Sequence, residues 1–203
     1  MTSPVVHIVD DDLDLRRSLA FLVASDGFAV RLYEGAESFL NEFDDAQDGC
    51  VLVDVLMPGI NGLELITILR RLGSTIPVIV MTGHADVDLA VEAMKRGAVD
   101  FIAKPFDLAT LLGAIRDALQ RSNRHVETDA SVQAVRERLA SLSKREREVL
   151  DRLLAGKANK MIAFDLEISP RTVEIYRANV MSKMGAKSLS ALIRLAMSAT
   201  QEP

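Results

Sequence analysis

Four short apolar runs in the first half of this chain each end abruptly in a polar, chemistry-bearing group, and that pattern constrains the fold more than any other feature. Residues 5–9 run into Asp10, Asp11 and Asp12; Cys50-Val51-Leu52-Val53 delivers Asp54; residues 78–81 deliver Thr82; Phe101 and Ile102 lead to Lys104-Pro105. Apolar runs of this length read as buried strands. In an open parallel sheet ligands bind outside the carboxyl ends of the strands, so an acidic cluster, a lone Asp, a hydroxyl and a lysine can converge although roughly a hundred positions separate the first from the last.

Helical patterns fill the gaps: 13–26, a short segment through Phe39, 62–71, 86–96, and a last helix from Leu108, where Leu108, Leu111, Leu112, Ile115 and Leu119 recur at helical spacing. With a further strand at 28–33, the alternation gives five βα units, a doubly wound α/β fold around a five-stranded parallel sheet. Asp12 or Asp14 is expected to cap the first helix. Met94 and the lone Cys50 read as core, Cys50 with no disulfide or metal role. His7, His84 and His125 are far apart, and only His84, beside Thr82-Gly83, falls near the strand ends, where it reads as an exposed loop residue.

Carboxylates crowded at a sheet mouth repel one another and stay ionised only if a hard cation or a lysine balances them. Mg²⁺ suits, because it takes oxygen ligands, keeps several waters and bridges one or two carboxylates to a phosphate; Asp11 and Asp54 fit that role. Asp54 could then attack a phosphoryl donor, with the metal and Lys104 neutralising charge on the transferring group and Thr82 donating to a phosphoryl oxygen. Val9-Asp10-Asp11, Asp54 with Met57-Pro58-Gly59 and Asn61-Gly62, Thr82-Gly83 and Lys104-Pro105-Phe106 resemble the signature of a two-component receiver domain, over residues 1–120. The resemblance implies that Asp54 is the phospho-acceptor. It also implies that Asp10, Asp11, Asp54 and the Leu56 carbonyl hold Mg²⁺, that Thr82 and Phe101 form a switch pair, that Lys104 contacts the phosphate, and that the Lys104–Pro105 bond is cis.

Charge splits the 203 residues in two. Residues 1–120 carry 9 Lys+Arg against 19 Asp+Glu, and 121–203 carry 15 against 10, so the net charge of −5 hides a basic second half suited to nucleic acid. No apolar run approaches the roughly 18 residues of a membrane span, and no signal peptide is visible, so a cytoplasmic protein without membrane attachment is expected.

Residues 121–141, poor in large apolar side chains, read as a linker in which 132–139 could form an amphipathic helix. From 142 to 203 the pattern is helical only, and an all-α four-helix unit is expected. Ser143 with Glu146 forms a capping box, Gly156 ends the first helix, Asn159 can cap a second, Ser169-Pro170 starts a third that stops at Gly185, and a fourth begins near Ser188. The short Glu167-Ile168 connection is a helix-turn-helix signal. Val173, Tyr176, Val180 and Met184 form the buried stripe of the third helix, which leaves Glu174, Ile175 and Ala178 outward for base edges. Glu174 can accept from cytosine N4 and Ile175 can pack on a thymine methyl; Lys144, Lys160, Arg171, Arg177, Asn179 and Lys183 are phosphate-contact candidates.

Leu142-Ser143-Lys144-Arg145-Glu146, Val149-Leu150, Ala155-Gly156, Asn159-Lys160, Ile162-Ala163, Leu166, Ile168-Ser169, Thr172-Val173 and Lys183-Met184 together resemble a LuxR-type DNA-binding domain. Joined to the receiver, this resembles the NarL/FixJ family, and residues 172–175 and 181–184 lean towards its FixJ branch. Glu174 and Ala178 stand where relatives often carry lysines, and Tyr176 replaces a common histidine, so base preference should differ. The resemblance implies a transcription regulator that is not an enzyme beyond self-catalysed phosphotransfer. It further implies phosphorylation by a FixL-type sensor histidine kinase, homodimerisation on phosphorylation, binding to double-stranded promoter DNA and engagement of RNA polymerase, in control of oxygen-limited metabolism or nitrogen fixation. Two rivals fit the residues less well: an aspartyl-phosphate hydrolase needs an acid two positions after its nucleophile, where Leu56 stands, and a protein- or RNA-binding tail does not account for the LuxR-like residues.

Overall fold

The computed structural model describes residues 4–43, 49–83, 87–122 and 129–199; His84 and His125 lie outside them. Packing divides the chain into two units, 1–85 with 95–125 and 86–94 with 126–203.

The first unit is built on five parallel strands: β1 (Val5–Val9), β2 (Ala29–Tyr33), β3 (Gly49–Asp54), β4 (Val78–Thr82) and β5 (Asp100–Ala103), ordered β2-β1-β3-β4-β5. The helices that follow them in sequence are α1 (Leu13–Ser25), α2 (Ala36–Glu42), α3 (Gly62–Arg71), α4 (Val87–Lys95), of which all but the last residue groups with the second unit, and α5 (Leu108–Ser122). Every residue of β1, β3 and β4 is buried, as expected for strands covered on both faces. Side chains alternate between faces: Val6, Ile8, Cys50, Leu52, Ile79, Met81 and Ile102 pack with Leu19 and Val23 of α1 and Leu111 and Ile115 of α5. At roughly 25 cal/mol per Å² buried, such residues contribute about 1.5–3 kcal/mol each, so this shared core fixes the strand order.

Chain order reverses beside β1, which has β2 on one side and β3 on the other, so the carboxyl ends of β1 and β3 flank the switch point of the sheet. Val9 is in register with both Tyr33 and Val53, Asp54 with Met81, and Thr82 with Ala103. Asp10 and Asp54 therefore sit at one level, with Thr82 one residue and Lys104 two residues further along the sheet end.

The helical unit comprises α6 (Asp129–Ala140), α7 (Lys144–Leu154), α8 (Asn159–Leu166), α9 (Pro170–Met184) and α10 (Leu189–Ser198). Val149, Leu150, Leu153, Ile162, Leu166, Val173, Val180, Met184 and Leu192 form its core, and Val135 of α6 joins them. The segment expected to link the halves thus adds a helix to the four anticipated, because Val135 and Leu139 give α6 an apolar side to bury. The turn between α8 and α9 is made by Glu167, which closes α8 in the left-handed region at φ 55°, and by Ser169, whose side chain caps α9 ahead of Pro170. The Ser143–Glu146 capping box forms. Asn159 does not cap α8: the cap is Ala158, with no side-chain bond, while Asn159 Oδ1 accepts from Arg177 Nη1 at 3.0 Å.

Candidate functional site

Strand register alone brings Asp10, Asp54, Thr82 and Lys104 together. The Lys104 N–H donates to the Thr82 carbonyl at 2.7 Å, which sets the lysine one step beyond the end of β5. The Lys104–Pro105 bond is cis. Lys104 Nζ then reaches Asp54 Oδ1 at 2.6 Å and Asp10 Oδ2 at 3.0 Å, bridging two buried carboxylates 50 and 94 residues away in sequence.

Each carboxylate keeps a second anchor. Asp54 Oδ2 accepts the Leu56 N–H at 3.0 Å, and Asp10 Oδ1 accepts the Asp12 N–H at 2.9 Å. Asp12 is the helix cap, taking the N–H groups of Asp14 and Leu15, so its carboxylate is committed to α1. Asp11 stands exposed. The fold thereby gives three consecutive aspartates three environments: Asp10 buried on the lysine, Asp11 open to solvent, Asp12 spent on a helix end.

One ammonium shared by two buried carboxylates leaves excess negative charge. Burial, with Asp10 close by, raises the Asp54 pKa against the opposing pull of Lys104. For Lys104, burial works against the charged form, but its bonds to Asp54 and Asp10 outweigh it and hold the ammonium's pKa above its usual value. A hard divalent cation would relieve the excess. Among the described residues no three carboxylate, histidine or cysteine side chains converge into a closed metal cluster. Mg²⁺ does not require one, since one or two carboxylates with carbonyl and water oxygens suffice. Asp10, Asp54 and the Leu56 carbonyl, with Asp11 exposed beside them, are the right donor chemistry for it.

Thr82 is 1 % exposed at the end of β4, and Phe101 is half-buried on the neighbouring strand, opposite Val80. Leu56, in the position where a hydrolase would carry its acid, is 63 % exposed. Two residues at this mouth went unrecognised as structural determinants in the sequence. A Cβ on Gly62 would sit 2.3 Å from the Asp54 carbonyl oxygen, so only glycine lets α3 start this close to the end of β3; its position directly after the Asn61 cap was the available signal. Arg16 is buried with its Nη1 2.5 Å from the Asp10 carbonyl.

In the helical unit, Val173, Val180 and Met184 of α9 are buried and Tyr176 packs half-buried beside them, while Glu174, Ile175 and Ala178 are exposed. Lys144, Lys160, Arg171 and Asn179 are exposed as well. Thr172 is half-buried, its hydroxyl 2.8 Å from that of the Ser169 cap. Two expected phosphate contacts are engaged elsewhere. Arg177 is bonded to Asn159, and Lys183 Nζ lies 2.7 Å from Glu146 Oε2 and 3.3 Å from the Ser141 carbonyl. The lysine bond, followed by the Ser143 N–H, holds the Glu146 carboxyl below the usual range. The burial of Glu146 was not anticipated; a capping-box acid pairs locally, whereas its lysine lies 37 residues on.

Residues 6–116 match the response regulator receiver domain family, and residues 140–196 match the LuxR family of bacterial regulatory proteins. The chain is 52 % identical to the transcriptional regulatory protein FixJ of Azorhizobium caulinodans, over 98 % of this chain and 94 % of that one. It is 42 % identical to the response regulator TodT of Pseudomonas putida, over 94 % of this chain and 84 % of that one. Among solved structures it is similar to full-length FixJ from B. japonicum, with 47 % identity, a TM-score of 0.57 and 98 % of each chain covered.

Proposed function

This chain belongs to the two-component response regulators, as a FixJ-type receiver joined to a LuxR-type DNA-binding domain, and from that membership we propose that it is switched by phosphorylation of Asp54. Regulators of this type control transcription in response to phosphorylation by a histidine kinase and are not classical enzymes. The observation that carries the assignment is the Lys104 ammonium 2.6 Å from Asp54 Oδ1 at the switch point of the sheet.

In the proposed reaction an Asp54 carboxylate oxygen attacks the phosphorus of a phosphohistidine. The O–P bond forms as the P–N bond breaks, and the imidazole, protonated from solvent on its other ring nitrogen, leaves as neutral histidine. Lys104 already touches the reacting carboxylate, so its charge is in place for the phosphoryl oxygens as the donor arrives. Mg²⁺, which receivers of this family typically bind, would be held by Asp10, Asp11, Asp54 and the Leu56 carbonyl and would supply further charge neutralisation. Thr82 donates its hydroxyl to the phosphoryl oxygen, and Phe101 on the adjacent strand moves with it.

The added group carries about −1.5 to −2 charges. It favours homodimerisation through the receiver, which brings two DNA-binding domains to adjacent half-sites of a promoter in the cytoplasm. There Glu174, Ile175 and Ala178 read bases; Lys144, Lys160, Arg171, Thr172 and Asn179 hold the backbone; and the bound dimer engages RNA polymerase. A FixL-like kinase and control of oxygen-limited metabolism or nitrogen fixation follow from the likeness to FixJ. Moving such a switch from 1:99 to 99:1 takes about 5.5 kcal/mol of differential binding.

Acetyl phosphate with Mg²⁺ should add one base-labile phosphoryl group to the chain and none to Asp54→Asn, and beryllofluoride should shift sedimentation from monomer to dimer. Equal labelling of Asp54→Asn overturns the acceptor assignment. A labelled chain that stays monomeric at micromolar concentration overturns the dimerisation step alone.

A further inference from the structure

Helix α1 buries Arg16, Leu19 and Val23 at i, i+3 and i+7, so a guanidinium occupies a position where that stripe calls for an aliphatic side chain. Desolvating it is costly, and a cation near the start of a helix also opposes the macrodipole. Arg16 is only 8 % exposed, and among the described residues its side chain is bonded to the Asp10 carbonyl, not to a carboxylate. Neither burial nor helix position favours arginine here; the compensation lies in what it holds. Asp10 is gripped at three points: Oδ2 by Lys104, Oδ1 by the Asp12 N–H, and the carbonyl by Arg16. The Asp10 N–H also donates to the Tyr33 carbonyl at 3.3 Å, and the Arg16 bond is the one on the peptide group that leads into Asp11.

We propose that Arg16 is a positioning residue of the phosphoryl site: by clamping the Asp10 carbonyl it fixes the turn that carries Asp10 and Asp11, and so sets the affinity of the site for its divalent cation. The inference rests on the reading of Asp10, Asp11 and Asp54 as cation ligands. Among the described residues, exposed Asp11 has no side-chain anchor comparable to the lysine on Asp10, so its placement depends on the backbone that Arg16 holds. Groups that orient metal ligands in this way are worth about 10–100-fold in metal affinity. Removing the guanidinium also removes a positive charge near the site, which alone would tighten cation binding, so the sign of the effect separates positioning from charge.

The test uses the full chain, with Mn²⁺ as an oxygen-seeking probe counted by the paramagnetic resonance of the free ion, in the parent, Arg16→Met and Arg16→Lys. Folding is checked by circular dichroism at the same temperature. Arg16→Met should bind Mn²⁺ about 10-fold more weakly, and Arg16→Lys, whose ammonium can still donate to the carbonyl, should fall between it and the parent. In acetyl phosphate labelling, Arg16→Met should raise the Mg²⁺ concentration for half-maximal rate about 10-fold while the rate at saturating Mg²⁺ stays within about 2-fold, a split that general loss of folding does not give. Unchanged or tighter Mn²⁺ binding in both variants overturns the role of Arg16 and leaves that of Asp54 standing. A parent chain that binds no Mn²⁺ overturns both.

Discussion

Acid should loosen the receiver sheet through His7. Its ring lies in β1 at 1 % exposure, Nδ1 is 3.2 Å from the Tyr33 hydroxyl, and Nε2 has no partner among the described residues. It stacks on Tyr33 at 5.8 Å and meets Phe39 edge-on at 5.6 Å. Burial, helped by Arg31, lowers its pKa from 6.5 to about 4. Between those values the unfolded chain binds a proton that the folded chain refuses, so stability falls as pH drops from 6.5 towards 4 and this contribution is complete above 6.5. At pH 5, 1.5 units below the unfolded value, the loss is about 2 kcal/mol, and screening of the exposed Arg31 leaves roughly 1–2 kcal/mol. His7→Phe keeps the ring packing and cannot titrate; its unpaired Tyr33 hydroxyl costs about 1 kcal/mol at every pH and cancels from a comparison of pH dependences. Hydrogen exchange at β1 and β3 amides, corrected for intrinsic rates at pH 7 and pH 5, should show the parent losing roughly 1–2 kcal/mol more than His7→Phe. Equal losses, or a His7 ring signal titrating near 6.5, would refute the argument.

Three further outcomes are expected. Lys104→Met leaves Asp10 and Asp54 buried without their cation, so in metal-free buffer it should destabilise the receiver by about 2–4 kcal/mol, and Mg²⁺ should raise its melting temperature more than the parent's; an equal rise would show that the lysine and the metal do not serve the same charge. Lys183→Ala should lower stability of the helical unit by about 1–3 kcal/mol without changing the salt slope of DNA binding, because its ammonium is committed to Glu146. Since the Glu146 pKa is depressed, that contribution is present at neutral pH and is lost as pH falls below the ordinary carboxylate range, which thermal melts at several pH values can follow. Glu174→Ala and Ile175→Ala should each cost about 1–3 kcal/mol at one base position, whereas Arg171→Ala should weaken all sequences alike; binding-site selection that returns the parent's preference for both of the first two would place the recognition face elsewhere.

Much of this protein was determined by the sequence locally. Apolar runs that end in Asp10, Asp54, Thr82 and Lys104 dictate strands with polar carboxyl ends, and a parallel sheet aligns such ends whatever the loops between them do. Asp12, Ser143 with Glu146, and Ser169-Pro170 mark helix starts because a cap is satisfied within three residues. The stripe of Val173, Val180 and Met184 follows from helical periodicity alone. What the sequence could not decide are the choices among chemically equal groups. Asp10, Asp11 and Asp12 differ only because a lysine 94 residues away reaches the first and a helix start takes the third. Lys183 looks as free for DNA as Lys160 until Glu146, 37 residues earlier, folds beneath it. Arg16 breaks its own apolar stripe for a carbonyl that only the β1–α1 turn presents. Short-range geometry is fixed by the backbone dihedrals of neighbouring residues, whereas the partner of a charge is chosen by which distant segments the core packs together, and that choice is made only in the folded chain.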